Sequence, residues 1–277
     1  MLLERFRTAK QAEVEALQAM QAQGALPPVY GGQRPDFTAA LTRCAAGSPL
    51  AVVAEYKRAS PSRGVICESL EVEEVARQYA VAGASAVSVL TEETFFRGRL
   101  DYLARAADPA LYNGLRVPLL RKDFIFDPLQ VRATAATPAS ALLLIVRLTP
   151  DAATLRALRE QAESYGIQAV VEIFDAEDLR LARESGARII QVNARDLETL
   201  AIDRDACLQL VRAFPPVNGE LWIAASGMSS PQHLVAAAEA GYHAALVGSA
   251  LMENGTPGEA LAALLGATAQ NGGERTC

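Results

Sequence analysis

The chain carries 26 basic residues, of which only Lys10, Lys57 and Lys122 are lysine. Arginine keeps its proton near neutral pH, whereas a lysine ammonium can be tuned to release one. The positions where this arginine-biased chain uses lysine are therefore candidates for chemistry, although lysines often merely solvate a surface. Lys57 follows Glu55 by two in Ala54-Glu55-Tyr56-Lys57-Arg58-Ala59-Ser60-Pro61-Ser62. Residues two apart on an extended chain point the same way, so this carboxylate would keep the ammonium charged and fixed. Lys122 stands two before Phe124 in Leu120-Arg121-Lys122-Asp123-Phe124. The aromatic would limit solvation of the amine, which suits a general acid. Glu172 interrupts the apolar run Val170-Val171-Glu172-Ile173, as a candidate general base or acid or as the counter-charge of a lysine. Asn193 and Arg195 offer a neutral and a cationic donor, fit for an anionic substrate. Ser226-Gly227 and Gly248-Ser249 complete the series. Glycine lets a backbone approach a ligand closely, and the N–H groups opening a following helix point at an anion. Each feature also has a plain reading: a surface ion pair, a solvated turn, two ordinary glycine turns. Their recurrence at the ends of apolar runs favours chemistry.

Those ends belong to a regular series of elements. Eight short apolar runs recur: Leu50–Glu55, Ala86–Leu90, Val117–Leu120, Ala141–Val146, Ala169–Ile173, Arg188–Val192, Leu221–Ala225 and Ala244–Val247. Amphipathic stretches lie between them, among them Val72–Ala82, Ala152–Tyr165, Ala176–Ser185 and Pro231–Ala240. Gly83, Gly166, Gly186 and Gly241 close these helices, as left-handed caps before the next strand. Alternation at this spacing calls for a parallel sheet, and eight units predict closure into a (β/α)8 TIM barrel, an α/β fold. In such a barrel the reactive groups sit at the carboxyl-terminal strand ends, where the unusual polar residues fall here. An open doubly wound sheet would announce a GxGxxG turn after an early strand, and the sequence has none.

Before the barrel, Leu2 to about Gln23 has the period of a helix, ended by Gly24 and Pro27-Pro28, and a short helix is predicted near Asp36 to Arg43. The expected organisation is one domain over 1–277: a helical extension over 1–46, the barrel over 47–266 and a disordered tail over 267–277. No linker or charge run divides it.

The net charge of −6 and pI near 5.2 argue against nucleic acid or an anionic membrane as the main partner. The first residues carry charges where a secretion signal needs an apolar stretch, and the run Ala141 to Val146 is far short of a membrane span. Cys44, Cys67, Cys207 and Cys277 lie far apart, and His233 and His243 are the only histidines, so no metal-ligand spacing is seen. A cytoplasmic, metal-free protein, monomeric or weakly oligomeric, is the expectation.

At these residues the sequence resembles the indole-3-glycerol-phosphate synthase family. The resemblance runs from the first helix to about Leu265. Besides the segments around Lys57 and Lys122 it takes in Ser88-Val89-Leu90-Thr91-Glu92, Phe95-Phe96-Arg97-Gly98, Val171-Glu172-Ile173, Asn193-Ala194-Arg195-Asp196-Leu197, Ser226-Gly227 and Val247-Gly248-Ser249. It implies an amino-terminal extension across the barrel mouth and a small phosphorylated substrate. The implied reaction closes 1-(2-carboxyphenylamino)-1-deoxyribulose 5-phosphate to an indole, with loss of carbon dioxide and water and without cofactor or metal. It further implies that Lys122 protonates the ketone oxygen while Lys57, oriented by Glu55, holds the substrate carboxylate. Glu172 would take a proton in the dehydration, and Asn193 and Arg195 would steady the anionic intermediate. Phe96, Phe124 and Leu197 would pack the aromatic ring; Ser60, Ser226, Gly227, Gly248 and Ser249 would serve the phosphate.

One position departs from the family, which has Glu before the Ser-Gly where this chain has Ala225. That substitution alone supports a catalytically weakened or silent phosphate-binding barrel. A sibling, the phosphoribosylanthranilate isomerase, normally works with Cys and Asp at strand ends, whereas the first strand here ends in Glu-Tyr-Lys.

Overall fold

The computed structural model describes residues 2–112, 116–197, 199–217, 219–266 and 274–276. Eight strands close into a barrel: β1 (Ala51–Tyr56), β2 (Ala86–Leu90), β3 (Leu119–Lys122), β4 (Ala141–Ile145), β5 (Gln168–Ile173), β6 (Ile189–Asn193), β7 (Leu221–Ala225) and β8 (Ala244–Val247). Each pairs in parallel with its neighbour in the chain, and β8 pairs with β1. Every apolar run of the sequence forms its strand. β3 is displaced from the run Val117–Leu120. Pro118 has no N–H to give the ladder, whereas Arg121 and Lys122 pair with Val89 and Leu90 and carry the strand on.

The helices follow: α1 (Leu2–Ala22), α2 (Phe37–Leu41), α3 (Val72–Ala82), α4 (Tyr102–Ala106), α5 (Pro128–Ala135), α6 (Ala152–Ser164), α7 (Ala176–Ser185), α8 (Arg204–Ala213), α9 (Pro231–Ala240), α10 (Ser249–Met252) and α11 (Pro257–Leu264). Local chemistry sets their ends. Asp151, Asp175, Asp203 and Ser230 each accept a backbone N–H at a helix start. Gly83, Gly186 and Gly241 take the left-handed conformation at α3, α7 and α9. The helix expected to Arg43 stops at Leu41; Arg43–Ala45 instead pairs antiparallel with Glu274–Thr276. The rest of the expected tail, 267–273 and 277, lies outside the described residues.

Two apolar layers result. Outward-facing strand residues such as Val52, Val87 and Leu142 pack under the helices. Inward-facing ones, including Val53, Leu120, Leu143, Val170 and Ile223, fill the barrel. Burying each such side chain stabilises the fold by about 1.5–3 kcal/mol before entropy is counted. Two residues further along, the inward positions on β1, β3, β5 and β7 are Glu55, Lys122, Glu172 and Ala225. The plug ends there and the site begins. Among the described residues no helix is long and apolar enough to cross a membrane.

Candidate active site

A cavity of about 390 Å³ opens at the carboxyl-terminal strand ends. Apart from Lys10, every residue assigned a candidate role from the sequence lines it: Glu55, Lys57, Ser60, Phe96, Lys122, Phe124, Glu172, Asn193, Arg195, Leu197, Ser226, Gly227, Gly248 and Ser249. They come from β1, β3, β5 and β6 and from the loops after β1, β2, β3, β6, β7 and β8.

Two lysine–carboxylate pairs define its chemistry. Lys57 Nζ lies 3.1 Å from Glu55 Oε1, and Ser88 on β2 donates its hydroxyl to Glu55 Oε2 at 3.2 Å. Lys122 Nζ lies 3.7 Å from Glu172 Oε2, and the Gln191 amide on β6 donates to the same oxygen. The Glu172 side chain is 2% exposed and that of Lys122 19%, so the lysine keeps a path to the cavity while its partner is enclosed. Two ammoniums and two carboxylates facing one space can hold an anion and pass protons.

The glycines have steric work to do. A Cβ on Gly248 would collide with the Glu55 carboxylate and stand 3.0 Å from Lys57 Nζ. Only glycine leaves the first pair its room. Gly227 has φ 76°, and a Cβ there would press on Ile202. Ser226 beside it is a non-glycine residue at φ 69°, a conformation that costs energy for a side-chain-bearing residue. Its hydroxyl donates to Asn193 Oδ1 at 2.8 Å, and the same oxygen accepts the backbone N–H of Arg195 at 3.0 Å. The Arg195 guanidinium donates to the Leu200 carbonyl at 2.8 Å.

Opposite this polar end lies an aromatic wall. Phe6 of α1 stacks on Phe124 at 4.1 Å between centroids, and Phe96 stands 6.0 Å from Phe124. The loop bearing Phe96 is shaped from within. The buried Glu92 carboxylate accepts the backbone N–H groups of Thr94, Phe95 and Phe96 at 2.7–3.0 Å. The Gly98 N–H closes the turn onto the Glu92 carbonyl at 2.7 Å, where a Cβ would collide with the Leu90 carbonyl.

Other residues line the cavity or support the pairs that do, with little signal in the sequence. Leu2 and Phe6 arrive from α1; their helical spacing marks a buried face without saying what it covers. Gln191 and Ser88 could have been found, because each lies on the inward side of its strand by the period of two. Arg63 and Arg204 join the cavity from loop and helix start, where surface arginines carry no distinguishing signal. Among the described residues no group of three His, Cys, Asp or Glu side chains is placed to hold a metal ion.

Reactive pairs on the strand ends of a closed parallel barrel, with an anion-friendly rim on one side and an aromatic wall on the other, define a barrel enzyme. The chain belongs to the indole-3-glycerol phosphate synthase family, whose model matches residues 3–264. It is thereby a carbon–carbon lyase, of the carboxy-lyase kind, in tryptophan biosynthesis. Relatives named indole-3-glycerol phosphate synthase include one from Chloroherpeton thalassium, 42% identical over 218 residues, covering 78% of this chain and 80% of that one. Another, from Roseiflexus sp. strain RS-1, is 40% identical over 266 residues, covering 91% and 93% of the two chains. Among solved structures, a 3-hexulose-6-phosphate synthase superposes with TM-score 0.61 at 15% identity, over 78% of this chain and 99% of its own. At that identity the likeness is one of fold.

Proposed function

We propose that the chain closes 1-(2-carboxyphenylamino)-1-deoxyribulose 5-phosphate to indole-3-glycerol phosphate with the two lysine–carboxylate pairs as its machinery. Lys122 gives a proton to the ketone oxygen as the ring carbon bearing the carboxylate attacks the ketone carbon, so that a C–C bond forms and a hydroxyl results. Loss of carbon dioxide from that ring carbon returns its bonding electrons to the ring. Lys57, held by Glu55, binds the carboxylate until it leaves. The C–O bond then breaks and the hydroxyl leaves as water with a proton from solvent in the cavity, while Glu172 takes the proton from the carbon next to nitrogen, whose C–H electrons complete the ring double bond. Asn193 and Arg195 stabilise the anionic intermediate. Phe96, Phe124 and Leu197 enclose the aryl ring, while Ser60, Ser226, Gly227, Gly248 and Ser249 receive the phosphate. The observation that carries this reading is the meeting of both pairs in one cavity, 3.1 Å and 3.7 Å within each pair.

A fluorescence assay for indole-3-glycerol phosphate tests it. The chain is expected to turn the substrate over and Lys122→Ala to abolish turnover; near-parent turnover of that variant would remove Lys122 as the acid. Ala225→Glu, which supplies the carboxylate usual in the family, is expected to raise kcat. A chain silent in the assay and revived only by Ala225→Glu would mark a phosphate-binding barrel that has lost its reaction. We further read the protein as a cytoplasmic monomer or weak oligomer, which light scattering of the purified chain tests.

A further inference from the structure

The third lysine takes no part in the chemistry above. Lys10 lies on α1 and is 6% exposed, rare burial for an ammonium. It contacts Glu13 one turn on and reaches Asp123, with Nζ 3.1 Å and 3.2 Å from the two carboxylate oxygens. Asp123 follows Lys122 and precedes Phe124, and by alternation it faces away from the cavity they face. Its side chain has no exposure. Its oxygens also accept the Arg121 guanidinium at 2.8 Å, the Thr91 hydroxyl at 2.5 Å and the Phe124 backbone N–H at 2.9 Å. Arg121 in turn donates to Glu13 at 2.9 Å.

Lys10, Glu13, Arg121 and Asp123 thus form a neutral quartet, two charges from α1 and two from the end of β3. Burial opposes ionisation of Asp123, but Arg121 and Lys10 outweigh it and hold the carboxyl at about 2. Buried ion pairs are weak sources of stability, because desolvation consumes most of the attraction. What this one does is geometric. The carboxylate that binds Lys10 also holds the N–H of Phe124, and Lys122 lies between Arg121 and Asp123 in the chain. Phe6, four residues before Lys10 on the same face of α1, stacks on Phe124 at 4.1 Å.

We propose that Lys10 is a positioning residue: by locking α1 onto Asp123 it fixes the segment that aims Lys122 and Phe124 into the cavity. The inference rests on Lys122 being the acid. It predicts that kcat is sensitive to a side chain that touches no substrate. Two variants test it, Lys10→Met and the charge-balanced Lys10→Met/Glu13→Gln, which leaves the Arg121–Asp123 pair neutral. Both are expected to lose roughly 10- to 100-fold in kcat, the scale of a small misplacement of a reacting group. The double variant is expected to keep a melting temperature close to the parent's. A kcat loss below about fivefold in the double variant overturns the proposal, on the same scale. So does a loss confined to KM, or one that follows a large drop in melting temperature. Lys122→Ala, measured beside them, separates the two failures: if it turns over like the parent, the assignment of the acid has failed.

Discussion

Two levels of the barrel interior, two residues apart along the same strands, do opposite things. At the lower, Val53, Leu120, Val170 and Ile223 are apolar and fully buried. At the upper, the same strands present Glu55, Lys122, Glu172 and Ala225. The lower level gains from removal from water. The upper gives up hydration, with Glu55 4% and Glu172 2% exposed, and recovers it only through lysine and hydrogen-bond partners. Stability and reactivity are therefore separated by one step of the pleat. Substitutions at one level should leave the other's property nearly intact.

That separation can be broken or sharpened by experiment. The largest effect is expected from Lys122→Ala, a loss of at least 10²- to 10⁴-fold in kcat, the usual worth of a general acid. The reverse result comes next. Ile223→Ala, in the plug, should cost about 2–5 kcal/mol in denaturant unfolding while KM and kcat of the folded fraction stay near the parent's. Gly248→Ala probes the boundary. Its methyl displaces the Glu55–Lys57 pair, so kcat/KM should fall roughly 10- to 100-fold with little change in stability. The smallest effect is confined to acid. Asp123 titrates at about 2 in the folded chain, against about 3.9 unfolded. Its contribution is fully present above the unfolded value and is lost as pH falls from about 4 through 2. The parent's melting temperature should slope downward in that window, and Asp123→Asn should remove part of the slope.

Much of this was legible in the sequence for a physical reason. Strands of a parallel barrel are buried on both faces and read as unbroken apolar runs, so Glu55 and Glu172 stood out as interruptions. Left-handed glycines such as Gly83, Gly186 and Gly241 marked where helices end. Less legible were contacts between distant segments. Phe6 reads as a buried helical position like Val14 or Leu17, and nothing local tells that it meets Phe124 118 positions later. Arg121-Lys122-Asp123 also reads as a solvated turn, because three adjacent charges look alike until the pleat sends the middle one to the cavity and its neighbours to α1. The pairing of Arg43–Ala45 with Glu274–Thr276 joins opposite ends of the chain and leaves no periodic signature.

In the reaction proposed above, the self-closed turn around Glu92 bears on how the aryl half of the substrate is received. Its shape comes from three N–H groups held by one carboxylate and from the missing side chain at Gly98, none of which a ligand must supply. Phe96 therefore waits in a fixed frame, and association does not have to freeze that loop. Recognition of the ring should resemble entry into a finished slot rather than the folding of a flap around a guest.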